Sequence, residues 1–136
     1  MVFDSSSGFR LPDGSVLSPD ASMVQLERWE SLTPMQRLGF APVCPEQVVE
    51  LASPSEGGPP CATGWQRIGR RGAILGWLLL PHEQAVEVFY ARVEPQHLEK
   101  LEVQEAGAEF PGLRLEPPIR PCPMMRRLSM KHWKRP

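Results

Sequence analysis

Lysine is absent before Lys100 in this chain of 136 residues, which removes one large class of phosphate chemistry. The serine–glycine run near the start, Ser5-Ser-Ser-Gly8, has neither the glycine spacing nor the following lysine of a triphosphate-cradling loop. Cysteine is scarce as well. Cys44, Cys61 and Cys122 are odd in number, widely spaced and form no CxxC pair, which argues against a disulfide framework or zinc site and for reduced cytoplasmic thiols. No apolar run approaches the length of a membrane span. The opening Met1-Val-Phe-Asp-Ser has no basic flank or apolar stretch, unlike a signal peptide. Acidic residues are missing after Glu116. What remains is ordinary for a folded domain: 41% hydrophobic and 23% charged residues, long enough to bury a core.

The missing acids make the charge lopsided. All sixteen acidic residues lie at or before Glu116, whereas Arg120, Arg126, Arg127, Lys131, Lys134 and Arg135 follow it. A net charge of -1 therefore hides an acidic body, residues 1–116, and a basic, proline-rich, irregular tail, 117–136. Such a tail either touches nucleic acid, stays solvated or folds back on the acidic body.

Local chemistry predicts mostly short strands. Phe3 to Leu11 reads as two extended pieces. Pro12-Asp-Gly14-Ser is a turn that pairs Gly8–Leu11 with Val16–Ser18. Ala21-Ser-Met-Val24 continues the second strand past Asp20. Leu26 to Leu32 has helical apolar spacing, and Thr33-Pro34 starts another helical turn with Thr33 as N-cap. Glu46–Leu51 is a β-prone run, Ala73–Leu80 a strand buried on both faces, and Ala85–Tyr90 its hairpin partner across Pro81–Gln84. Leu98–Val103 and Leu113–Leu115 are weaker strands. Gly57–Arg71 has four glycines, two prolines and three arginines but no acid, which leaves room for only a short helix near Thr63–Arg70.

Two acids stand out against this background. Asp20 follows Ser18-Pro19, and Glu50 lies within Cys44-Pro through Leu51, each beside strand-type apolar residues and about thirty positions apart. Two carboxylates on neighbouring strands are what a divalent-metal site needs, because Mg²⁺ takes hard oxygen ligands and keeps several waters. Taken singly, each has a plainer reading. An Asp after Ser-Pro is a turn residue, and a Glu in Val-Val-Glu-Leu faces solvent. His82, His97 and His132 share no spacing for a metal or triad and read as surface residues. Trp29, Trp65 and Trp77 read as core, and Cys44 and Cys61 carry no catalytic signal.

Taken in order, several segments resemble the Uma-two family of restriction-endonuclease-like proteins, within the PD-(D/E)XK nuclease superfamily. They are Phe3-Asp-Ser-Ser-Ser-Gly-Phe-Arg-Leu-Pro-Asp-Gly-Ser, Ser18-Pro-Asp-Ala, Leu26-Glu-Arg-Trp-Glu-Ser-Leu-Thr-Pro, Cys44-Pro through Ser53-Pro-Ser, Gly76-Trp-Leu-Leu-Leu-Pro and Val86-Glu-Val. The resemblance covers about Val2 to Glu116. It implies an α/β (α+β) fold, a mixed sheet flanked by helices. It also implies Mg²⁺-dependent hydrolysis of DNA, with Asp20 and Glu50 as catalytic metal ligands and the Leu51 carbonyl as third.

The same resemblance marks two departures. Family members carry a helical and strand segment ahead of the part matching Val2, so the fold is expected to be incomplete at the N-terminus. The family's lysine, matched without gaps, falls at Gly64, and the position two after Glu50 is Ala52. Gln66, Arg67 and Arg70 are the candidates to substitute for that lysine, although an arginine fork differs from a compact ammonium. A degenerate gene copy, with a frame slip across residues 57–71, accounts for both departures. The alternative to an enzyme is an inactive relative that binds nucleic acid, self-associates, or pairs with an intact homologue.

Overall fold

The computed structural model describes residues 1–52, 69, 72–81, 83–99 and 103–116. It is a mixed α+β arrangement with a mostly antiparallel sheet and few, short helices. The chain packs as two units, Met1–Glu99 and Lys100–Pro136. The second, over its described residues, is a hairpin of β9 (Gln104–Glu105) and β10 (Arg114–Leu115) that buries Ala106 and Phe110. The basic tail lies outside the described residues, as do His82, Cys61, Cys122, Gly64 and Trp65.

The first unit is built on a six-stranded sheet in the order β1-β4-β5-β6-β7-β8. The members are β1 (Val2–Asp4), β4 (Ala21–Met23), β5 (Gln47–Leu51), β6 (Leu75–Leu80), β7 (Ala85–Tyr90) and β8 (Gln96–Glu99). Every pairing is antiparallel except β5 with β6. All six residues of β6 are buried, as its unbroken apolar run requires of a strand covered on both faces. Val48, Leu78, Leu80, Ala85 and Phe89 form the apolar cluster on one face, with Leu17 and Ala52 packed against it. Burying such side chains contributes about 1.5–3 kcal/mol each.

A smaller sheet, β2 (Phe9–Arg10) with β3 (Val16–Leu17), is the hairpin expected around Pro12-Asp13-Gly14. Gly14 takes φ +85, and the Asp13 carboxylate accepts from the Ser15 N–H at 3.1 Å, so each turn residue has a defined task. Ala21–Met23 does not prolong β3. The chain breaks at Pro19-Asp20 and β4 enters the large sheet, pairing Phe3 with Ser22 and Ser22 with Val48.

The helices α1 (Leu26–Glu30) and α2 (Pro34–Arg37) are short, and Thr33 and Gln36 form a full capping box at the start of α2. Glu46 ties α1 to β5. Its carboxylate is almost wholly buried, accepts from the Gln25 N–H at 2.9 Å and pairs with Arg28, which also donates to the Cys44 carbonyl at 3.3 Å.

Buried polar atoms without a partner among the described residues are Ser22 Oγ, Arg37 Nε and both ends of the Gln47 amide, and Gln47 leaves the most unsatisfied. Gln47 has no exposed surface, and neither atom of its side-chain amide has a hydrogen-bond partner among the described residues. It stands opposite Met23 and Leu75 in the sheet register. Gln47→Met keeps the volume and removes the desolvation cost. It is expected to stabilise the protein by about 1–2 kcal/mol, read as a raised urea midpoint.

Candidate metal centre

The register of β4 against β5 decides where the two acids go. Ala21 pairs with Val49 and Ser22 with Val48, so one step further along the chain Asp20 stands opposite Glu50. Directly opposed residues of an antiparallel pair project from the same face. The two carboxylates therefore leave the same face of the sheet, at the start of β4 and the C-terminal end of β5. This is the face that carries the Val48–Leu78–Phe89 cluster, and the acids sit at its border. Asp20 and Glu50 are both half-buried.

A hydrogen bond fixes the aspartate. Asp20 Oδ2 accepts from the Leu51 N–H at 2.8 Å, across thirty-one positions of sequence. The backbone partner expected for Leu51 by register is residue 19, which is a buried proline. Proline has no N–H to offer the Leu51 carbonyl, and the Asp20 side chain takes up the Leu51 N–H instead. The N–H and C=O of one strand residue leave on the same edge, so the Leu51 carbonyl points to the Asp20 side of β5. Proline before aspartate thus ends the ladder, and the oxygens of Asp20, Glu50 and the Leu51 carbonyl belong to the same two paired strand ends.

These donors suit a hard divalent cation. Mg²⁺ is commonly held by one or two carboxylates with waters completing its shell, whereas zinc would call for nitrogen or sulfur ligands. No cluster of three or more His, Cys, Asp or Glu side chains occurs among the described residues, so no third side-chain acid joins the pair. Gln66, Arg67 and Arg70, the residues expected to substitute for the lysine, lie outside the described residues.

The same register extends across the sheet. Glu50 pairs with Leu78, Leu78 with Glu87, and Glu87 with His97. Glu87 and His97 form an ion-pair contact at 3.5 Å, so His97 is a partly exposed partner of a carboxylate. Sequence spacing carried no sign of this row, because it is assembled from pairings between strands far apart in the chain.

A family model for Uma2, described as "putative restriction endonuclease", matches residues 1–119. The chain belongs to the Uma2 family. Among solved structures it is similar to one described as a putative nuclease of the DUF820 group from Anabaena variabilis. That similarity has a TM-score of 0.56 at 19% identity, covering 73% of this chain and 54% of that one. The likeness establishes a shared fold, and this Uma2 chain spans about half the length of that protein. None of the curated proteins matches it. No described helix is long and apolar enough to cross a membrane.

Proposed function

We propose that this Uma2 chain carries the metal-binding half of a DNA phosphodiesterase site, with Asp20, Glu50 and the Leu51 carbonyl as the Mg²⁺ ligands. The observation that carries this reading is the opposed pair of carboxylates, one of them oriented by the Leu51 N–H. When bound, Mg²⁺ supplies charge to offset that building on the scissile phosphate and lowers the pKa of a bound water. The chain's own part is positional. Leu51 holds one oxygen of Asp20, so the other is free to face the cation, and Glu50 approaches from the neighbouring strand. The test is cleavage of supercoiled plasmid in Mg²⁺, run against EDTA and against a catalytically impaired variant. Cleavage that persists equally in EDTA overturns the reading.

Metal affinity is expected to be weak. Two carboxylates leave most of the shell to water, which Mg²⁺ releases reluctantly. A calorimetric titration should give no sub-micromolar binding, and a tighter constant would reveal a ligand beyond these three.

The absence of lysine before Lys100 favours a second reading, an inactive relative that binds DNA or pairs with an intact homologue. Loss of one positioned charge donor typically costs about a hundredfold to a thousandfold in rate. Under this reading the chain as it stands shows little or no cleavage, and Gly64→Lys raises the rate. An unmodified chain that cuts efficiently overturns it.

A further inference from the structure

A second concave surface lies on the same face of the sheet, on the β1 side of the acids. It is an open groove of about 440 Å³ lined by Phe3, Trp29, Arg37 and Phe40 together with Ser7 and Gly8. The rings are set edge to face: Phe3 meets Trp29 at 4.8 Å and Phe9 at 5.2 Å. Phe40 lies against the backbone of Gly8, where even a Cβ would meet its ring at 2.5 Å, yet Phe40 remains 52% exposed. An exposed aromatic held over a glycine is poised to receive a flat ligand.

Arg37 gives the groove its charge. Its guanidinium lies 5.8 Å over the Trp29 ring and Nη2 donates to the Glu30 carbonyl at 2.7 Å. Nε has no partner, and no carboxylate pairs with Arg37 among the described residues. Asp4, at the end of β1, has its carboxylate tied to the hydroxyl and N–H of Ser6, and Glu30 meets Arg37 through its backbone carbonyl. A stacked, unpaired arginine beside an exposed ring suits a nucleobase that carries an anionic phosphate. Leu38, which also lines the groove, would suit an apolar partner, but such a partner would leave the Arg37 charge without a counter-ion.

Position links the groove to the acids. Phe3 pairs with Ser22, two residues along β4 from Asp20, which puts the two backbones about 8 Å apart. Neighbouring nucleotides of one strand can reach both. A stacked base must be out of its duplex, so this surface selects for unpaired nucleotides. We infer that the groove of Phe3, Trp29, Arg37 and Phe40 is a subsite for an unpaired nucleotide of single-stranded DNA next to the metal-binding acids.

The inference rests on the DNA-directed reading above, and it is tested without metal so that the two can fail separately. The probe is a fluorescently labelled oligo-dT strand, with a blunt duplex carrying the same label as control, titrated against the full chain in EDTA by anisotropy. Single strand should bind at least about tenfold more tightly than duplex. Phe40→Ala and Arg37→Gln should each weaken it about tenfold, with Phe40→Tyr near the unmodified chain. The binding is read in EDTA and without turnover, so a chain that fails to cleave can still show the subsite. Circular dichroism and gel filtration establish that each variant is folded. Equal binding of strand and duplex, or binding indifferent to Phe40→Ala and Arg37→Gln in folded proteins, overturns the inference. So does a concentration-dependent dimer lost in Phe40→Ala, which would make a second copy of the chain the occupant.

Discussion

Asp20→Asn is expected to remove Mg²⁺-dependent plasmid cleavage by the chain, or by a Gly64→Lys version if the chain itself is slow, while hardly changing stability. The amide oxygen of asparagine still accepts the Leu51 N–H bond, so the strand end keeps its partner. What is lost is the negative charge that a divalent cation requires, and a neutral oxygen is a poor replacement. The loss should be about a hundredfold or more in rate, of the order seen when one preorganised electrostatic contact to a transition state is removed. Asp20→Ala removes the charge and the bond together. It should therefore show the same catalytic loss plus about 1–2 kcal/mol of destabilisation, from a half-buried N–H left without its acceptor. Comparing the two by plasmid nicking and urea unfolding separates the metal role from the structural one. If Asp20→Asn cuts as fast as the parent, Asp20 is only the cap of Leu51.

The largest effect on stability is expected at Arg28. Arg28→Met leaves the Glu46 carboxylate buried with only the Gln25 N–H opposite it. Removing one partner of a buried pair costs about 3–5 kcal/mol, and the partial exposure of Arg28 brings the expected loss to about 2–3 kcal/mol. Glu46→Gln in the same chain should restore part of this, because a neutral amide is cheaper to bury. A double-mutant cycle from urea midpoints measures the coupling. Additive losses would show that the pair contributes nothing and that the Gln25 bond alone holds Glu46.

The parts of this fold legible in the sequence are those made by neighbours in the chain. Pro12-Asp13-Gly14 specifies its turn through a fixed proline φ, an Asp side chain bonded two residues on, and a glycine at positive φ. Thr33, Pro34 and Gln36 specify a helix start in the same local way. The weaker strand expected at Leu98–Val103 overlaps β8, which starts earlier, at Gln96, because Glu87 pairs with His97 and Val88 with Gln96; residues 100–102 of that expectation lie outside the described residues. Apolar content alone could not show that. The turn from β3 into a different sheet at Pro19 was equally hidden, since it depends on β1 and β5 pairing with Ala21–Met23 from its two edges. Asp20 and Glu50 could be singled out from the family pattern, but their opposition across two strands became visible only with the register. The groove was out of reach, since Phe3, Trp29 and Phe40 come from three separate segments and Trp29 alone reads as a core residue.

The bond between Asp20 and the Leu51 amide also makes the centre observable without any turnover. A cation entering the site draws on the same carboxylate that accepts this amide proton, so occupancy perturbs one identifiable backbone resonance. In a nitrogen-edited NMR spectrum, the Leu51 cross-peak should move with added Mg²⁺ ahead of amides elsewhere in β5, and its solvent exchange should slow as the strand end is pinned. The proline that interrupts the ladder would thereby leave the proposed centre with a single-atom gauge of its own filling.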